Sequence, residues 1–426
     1  MNGRELPRIS TTVPGPESQR QTDRLAEHEC PAITARRERR AQVLGAASDD
    51  PIVWDEARGS VVQDVDGNRF VDTTSGFGVA LIGHRHPDVV AAAHAQAERL
   101  VHAMGDAYPD VTRIALLQRI AEITPGDLNI SILGLSGSDA VDAAIKTAIL
   151  ATGRTGVLTF ERSYHGLSLG VLALQAYNPS FTEPFARVAH PDVIHLPWGC
   201  EPEQVAHAIA THPGGIGLVL AEPIQGRGGM HPAPAGWLAQ VAQATRDGGA
   251  LFCLDEIQSG CGRTGQWFAC ESEGVTPDLI CLGKALGVGY PLSACTGTPQ
   301  VMNAWGASTG QAIHTQTFLG HPVGCATALA TLDVLEQDGL RRIRSSAQTW
   351  KDSLTHHGFE VRGAGLMMGV ELGVDGLAAS RGLLQRGIIA LPAGPTSLGL
   401  TPPMCVTDAQ IGCVIDALVS VVSEFQ

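Results

Sequence analysis

The chain has 426 residues, room for one large core or two domains, and its 44% hydrophobic and 17% charged composition excludes wholesale disorder. With 29 basic against 43 acidic residues, the net charge of −14 argues against nucleic acid or an anionic membrane as partner and mildly favours a cationic substrate. Ten cysteines without a C-x-x-C pair, several in apolar segments, read as buried free thiols. With no apolar leader or membrane-length run, they point to a cytoplasmic protein.

Residues 1 to about 22 are polar and Pro/Ser-rich and are expected to be mobile until a partner surface anchors them. From 51, PIVWDEARGSVVQDVDGNRFVDTTSG alternates apolar and polar residues around the turn signals ARGS and VDGN, which predicts a hairpin or meander. HPDVVAAAHAQAERLVHAM and RIALLQRIAEITPG carry helical periodicity. The short apolar runs GVLTF, IGLVLAEP, ALFCLDE and DLICLG then alternate with helical segments, the pattern of a largely parallel sheet that gathers ligands at its strands' carboxyl ends. After about 325 a helix, CATALATLDVLEQDGL, leads to FEVRG, GLMMGVEL, a helix, GIIALP and a final helix from about 407. The expected organisation is α/β. Residues 1–75 form an N-terminal segment and part of a small domain, 76–325 a large domain with a mainly parallel sheet flanked by helices, and 326–426 the rest of a smaller α/β domain.

Lysine is scarce: only Lys146, Lys284 and Lys351 exist, against 26 arginines. Lys351 lies in an amphipathic pattern that ends in glycine and reads as surface, and Lys146 fits a helix face. Lys284, in ICLGKALGVGYPLSA, alone has surroundings apolar enough to keep an amine neutral. Its nearest basic neighbours along the chain are Arg263 and Arg341, so it belongs to no charged face.

ALFCLDEIQSGCGRTG matches G-x-G-x-x-G at Gly260, Gly262 and Gly265, a nicotinamide-dinucleotide fingerprint. Against that reading, Asp255 and Glu256 end the strand, where their charge repels a diphosphate. The competing reading joins Asp255 to Lys284, since both follow short strands of one parallel sheet and emerge at one crevice. An acid facing an amine there suggests pyridoxal phosphate, with the lysine forming a Schiff base and the acid holding the pyridine nitrogen protonated. LGLSGSDAVDAAIKTA offers a phosphate site where Ser136, Gly137 and Ser138 open a helix, although taken by itself SGSD reads better as a plain N-cap.

From about residue 50 onward the chain resembles the class III (omega-type) aminotransferases, pyridoxal phosphate enzymes of fold type I. The marks are DVDGNRFVDTTSGFGVALIGHRHP, SGSDAVDAAIKTA, YHG, AEPIQGRGG, LDEIQSGCGRTG, PDLICLGKALGVGYPLSA and HTQTFLGHP. The resemblance implies a small domain built from both chain ends. It implies that Lys284 carries the cofactor, Asp255 partners the pyridine nitrogen and Gln258 contacts the ring's phenolic oxygen. Tyr164 and Ile257 would sandwich the ring, and Gly137 and Ser138 would bind phosphate. Thr317 would reach the same phosphate from the second subunit of an obligate homodimer. Glu222 would stand on the substrate side near the cofactor, with Phe77 and Arg227 contacting substrate.

Departures from the family bear on substrate. The arginine that usually precedes the C-terminal Pro-Pro by three residues is Gly399, the residue after YHG is Leu167 rather than arginine, and the glutamate that pairs with the usual clamp is Arg227. An arginine–carboxylate fork is hard to replace, so these changes speak against gamma-aminobutyrate, ornithine and acetylornithine. Arg227 is expected to hold the donor's carboxylate instead. The expected reaction is ping-pong transfer from an amino-acid donor to an aldehyde or ketone on a larger molecule, such as an amino sugar in specialised (for example antibiotic) metabolism. A racemase or epimerase on the same fold is the close alternative and a nicotinamide-dependent oxidoreductase the distant one. His165 reads as a hydrogen-bonded structural residue. His84 and His86, spaced i and i+2 without other ligands, make a poor metal site, and no metal is expected. No G-x-S-x-G elbow supports a serine hydrolase.

Overall fold

The computed structural model describes residues 1–34 and 51–425. The chain opens with α1 (Pro16–His28), followed by a meander of β1 (Trp54–Arg58), β2 (Val61–Asp64) and β3 (Arg69–Asp72), then α2 (Pro87–Arg99) and α3 (Val111–Ile123). The central part runs β4 (Ile130–Gly134), α4 (Gly137–Thr152), β5 (Gly156–Phe160), β6 (Val193–Leu196), α5 (Pro202–Thr211), β7 (Ile216–Ala221) and α6 (Trp237–Asp247). It continues through β8 (Leu251–Asp255), β9 (Leu279–Leu282) and β10 (Ser293–Gly297). The tail has α7 (Pro322–Val334), α8 (Leu340–His356), β11 (Glu360–Ala364), β12 (Met367–Glu371), α9 (Gly376–Gln385), β13 (Ile388–Ile389), β14 (Leu391–Pro392), β15 (Ser397–Leu400) and α10 (Asp408–Ser423).

The large sheet has the order β4-β10-β9-β8-β7-β5-β6. Only β10 runs against its neighbours, so the sheet is mixed at that one strand and otherwise parallel. The central strands read as unbroken apolar runs because both faces are buried. Leu218, Leu220, Cys253, Leu279 and Cys281 pack beneath α4, and Val219, Phe252, Leu254, Ile280 and Leu282 pack on the opposite side. Burying one Val or Leu contributes about 1.5–3 kcal/mol, against a span of ~1 kcal/mol for strand propensity, so two-sided burial holds these strands. The small alanines of α4 (Ala140, Ala143, Ala144, Ala148) bring that helix close over the sheet.

The smaller unit draws on both ends of the chain. One sheet is β1-β2-β3-β13 and the other β11-β12-β15-β14. The β3–β13 pairing joins Val71 to Ile388 in parallel.

The N-terminal segment corrects an expectation: residues up to Ser18 are held by the chain's own fold rather than by a partner surface. Arg8 bridges Arg69 through two backbone hydrogen bonds, and Asn68 Oδ1 accepts from Ser10 N and Thr11 N. Asp66 accepts from Glu17 N and Ser18 N at the start of α1. The VDGN turn thus supplies the acceptors that fix the segment, a tertiary use that local polarity does not reveal. Residues 35–50 lie outside the described residues.

Candidate active site

The site forms at the carboxyl ends of the parallel strands. Asp255 is the last residue of β8 and lies in register with Cys281 of the adjacent β9, two residues before the Gly283–Lys284 turn. Lys284 adopts φ 43°, a left-handed conformation that costs a non-glycine residue stability and that here turns its side chain back over the sheet. Its Nζ donates to Gln258 Oε1 at 2.7 Å. Burial pushes the amine down to about 8, against the opposing pull of Asp255 and Glu222.

Asp255 is buried and held from two sides. Oδ2 bonds His165 Nδ1 at 2.7 Å and Oδ1 accepts from Ile257 N at 3.1 Å, while the other ring nitrogen of His165 meets Thr159 Oγ1 at 3.0 Å. The predicted structural histidine therefore positions the acid. Glu222 follows β7; its carboxylate accepts from Tyr164 N at 3.0 Å and Gly226 N at 2.9 Å. Burial, with Asp255 nearby and His165 opposing, raises its carboxyl to about 7.

These residues line a cavity of about 710 Å³ whose other end is the N-terminus of α4. Ser136 caps that helix, its hydroxyl accepting from Asp139 N, and Asp139 Oδ2 accepts from the N–H groups of Leu135 and Ser136. The Gly137 and Ser138 N–H groups have no acceptor within the described residues and face the cavity. The cap reading of SGSD is thus realised by Ser136, and the two free N–H groups beyond it have what an anion cradle requires. A Cβ at Gly166 would lie 2.0 Å from Ser138 Oγ, so the cradle depends on glycine there. Ile257 and Tyr164 flank the space between Lys284 and Asp255.

A second cavity of about 520 Å³ shares Tyr164, Arg227, Gln258 and Lys284 with the first and is walled by Phe77, Tyr177, Met230, Leu391, Pro392 and Ala393. Arg227 stacks over the rings of Tyr164 (4.7 Å) and Tyr177 (5.5 Å), and no carboxylate pairs with it among the described residues. A Cβ at Gly399 would lie 2.9 Å from Met230 Cε, so Met230 occupies the space of a longer side chain at 399.

Phe77 reaches this cavity from a run of positive φ at Ser75, Gly76, Phe77 and Gly78. Asp72 pins the run, accepting from Thr74 N, Thr74 Oγ1 and Gly76 N and bonding His84 Nε2 at 2.9 Å. Arg263, fully buried, donates to Gly78 O at 3.0 Å and to Leu366 O and Pro402 O of the tail. Burial lowers its guanidinium to about 9.

All the predicted site residues except Thr317 converge on these two cavities. Thr317 lines a separate pocket with His102, Met104, Gly105 and Asp106. Sequence reasoning missed Tyr177, Met230, Asp72 and Arg263; only tertiary convergence reveals them. The site's chemistry is that of a partly neutral amine, a buried acid and an anion cradle joined in one cavity, a set that fits pyridoxal phosphate.

Comparison with known proteins agrees. Residues 44–422 match the family described as Aminotransferase class-III. The acetylornithine aminotransferase of Methanosarcina acetivorans is 32% identical over 86% of this chain and 91% of its own length. The LysW-aminoadipate semialdehyde transaminase of Deinococcus radiodurans is 34% identical over 88% and 86%. Among solved structures, the adenosylmethionine-8-amino-7-oxononanoate aminotransferase of Methanocaldococcus jannaschii superimposes with a TM-score of 0.86 and 27% identity, covering 96% of this chain and all of that one.

Proposed function

The chain belongs to the class III aminotransferases and is an enzyme dependent on pyridoxal 5'-phosphate, and on that premise we propose that Lys284 is its catalytic amine and Arg227 its carboxylate-binding residue. The observation that carries this reading is the single cavity in which the Lys284 amine, the His165-supported Asp255 carboxylate and the free Gly137 and Ser138 N–H groups meet. Gly137 and Ser138 hold the cofactor's phosphate, Tyr164 and Ile257 flank its ring, Asp255 faces the ring nitrogen and Gln258 the phenolic oxygen. When bound, the cofactor supplies an electron sink that acidifies the substrate's α-proton.

Lys284 Nζ, brought to about 8 by burial, is partly unprotonated near neutral pH and would serve as the base that takes the substrate's α-proton and as the acid that gives it back across the transferred nitrogen. The amino group leaves an amino-acid donor in one half-reaction and reaches an aldehyde or ketone in the other, in ping-pong order. Arg227, unpaired and stacked on Tyr164 and Tyr177 beside Lys284, grips the donor's carboxylate. Glu222 sits too close to Asp255 and too deep to ionise freely, and it orders the Tyr164 and Gly226 backbone around the cofactor.

The acceptor enters over Phe77, Tyr177, Met230, Leu391 and Pro392. That apolar wall supports a carbonyl compound with an apolar body over a polyhydroxylated amino sugar, and Met230 closes the corner at Gly399 where a second cation would stand. A homodimer is supported by exposed apolar residues of the segments that meet at the Thr317 pocket: Val101, Met104, Tyr108, Val111, Ile313 and Phe318 are each more than half exposed. A second copy seated there brings Thr317 to its partner's phosphate cradle. No helix among the described residues is long and apolar enough to cross a membrane; a cytoplasmic location is supported by ten unpaired thiols.

The test is stopped-flow measurement of both half-reactions in Arg227→Ala, with glutamate, alanine and glutamine as donors. The donor KM should rise at least tenfold while reaction with a carboxylate-free aldehyde is unchanged. Equal effects on the two half-reactions would remove Arg227 from this role. Formation of keto acid from the donor separates amino transfer from epimerisation.

A further inference from the structure

Outside the Lys284 cavity, a pocket of about 250 Å³ opens where residues 2–4, the β1–β2 turn and the entry to α2 come together. Arg4, Arg58, Arg85 and Arg342 line it with His84 and His86, and among the described residues no Asp or Glu does. The chain has 14 more acidic than basic residues, so four arginines at one small pocket stand out; all four are exposed, and solvent screens part of the repulsion that an anion between them would offset.

Two of the four are already committed: Arg85 pairs with Glu56 at 2.9 Å and Arg58 donates to Met1 O at 3.3 Å. Among the described residues the Arg4 and Arg342 guanidinium groups have neither a hydrogen bond nor an ion pair. Both line the pocket together with Cys405. His86 Nδ1 is buried without a hydrogen bond, its nearest carboxylate being Asp88 at 3.9 Å. His86 is also the N-cap of α2 and makes no side-chain cap, so the helix's positive end is open on this side.

We propose that this pocket binds a phosphate dianion, free or as the phosphate group of a small ester, between Arg4 and Arg342. A dianion matches two uncommitted guanidinium groups in charge, and its several acceptor oxygens match their forked donors, as a single carboxylate does not. The pocket shares no lining residue with the cavity that holds Gly137, Ser138 and Lys284, so the site is additional to the cofactor's own phosphate cradle.

Calorimetric titration of the cofactor-loaded enzyme in chloride buffer tests the proposal, with inorganic phosphate and methyl phosphate as probes. One saturable site per chain is expected for at least one probe, with affinity at least tenfold lower in Arg4→Ala/Arg342→Ala and partly restored by Arg342→Lys. Tighter binding of methyl phosphate identifies an ester as ligand; equal or tighter binding of inorganic phosphate identifies the free ion. Arg4→Ala and Arg342→Ala tested singly, each expected to weaken binding at least threefold, keep the test decisive should the double variant fold poorly. Absence of saturable binding, or binding that survives the double variant and disappears in Arg227→Ala, overturns the proposal.

Discussion

Replacing Glu222 with glutamine separates two effects that meet at one buried carboxyl. In the folded chain Glu222 titrates at about 7, raised from an ordinary 4.5 chiefly by burial and further by Asp255. Below pH 4.5 the group carries its proton in both the folded and unfolded states. Between pH 4.5 and 7 the unfolded carboxyl ionises while the folded one does not, so folding loses stability as pH rises through this window and the loss is complete above 7. At 1.36 kcal/mol per pKa unit the loss amounts to about 3 kcal/mol. Glutamine removes that slope.

Glutamine also presents an NH2 group to one of the two backbone N–H donors, Tyr164 N or Gly226 N, at a pH-independent cost of about 1–3 kcal/mol. The two terms are of similar size, so stability at any one pH decides nothing. Urea unfolding of the cofactor-free wild type and Glu222→Gln in half-unit steps from pH 5 to 8 does decide. The variant should gain on the wild type by roughly 1.4 kcal/mol per pH unit at first, then level off above 7. A stability difference that stays constant over that range would refute the argument.

Three further outcomes are expected. Lys284→Ala should bind no borohydride-fixable cofactor and form no keto acid, both read by absorbance and peptide mapping. His165→Phe removes a hydrogen bond to the Asp255 carboxylate worth about 1.5–3 kcal/mol, so cofactor affinity measured by absorbance titration should fall about ten- to a hundredfold; an unchanged Kd would show that His165 does not position Asp255. Arg263→Met leaves the carbonyls of Gly78, Leu366 and Pro402 without a donor, and the urea midpoint should drop by the equivalent of at least about 3 kcal/mol, with donor KM rising as the Phe77 loop loosens.

The catalytic pairing was legible because strand ends are legible: an apolar run closed by LDE and another closed by GK must deliver both residues to one edge of a parallel sheet. The reversed direction of β10 was not, since SACTG is buried throughout and carries no local mark of strand polarity. SGSD by itself read better as a cap than as an anion site, and the structure leaves room for both. Ser136 does the capping while the next two N–H groups stay free. Contacts between residues distant in sequence, such as His165 with Asp255 and Arg227 with Tyr177, depend on the completed fold and leave no spacing signal. The N-terminal segment misled for the same reason. Its polar residues spend their backbone groups on the side chains of a turn some fifty residues later.

The pairing of β13 with β3 sets an order on synthesis. Thr73 and Ile389, joined by a hydrogen bond, lie 316 positions apart, so a ribosome releases the first meander long before it makes the strand that covers it. Until then the edge of β3 beyond the Arg8 bridge, at Val71 and Thr73, is open to pairing with any extended segment nearby. The earliest sheet to emerge therefore closes only near the end of the chain, and a message cut short before Ile388 yields a product with a sticky front end, however well its middle has folded.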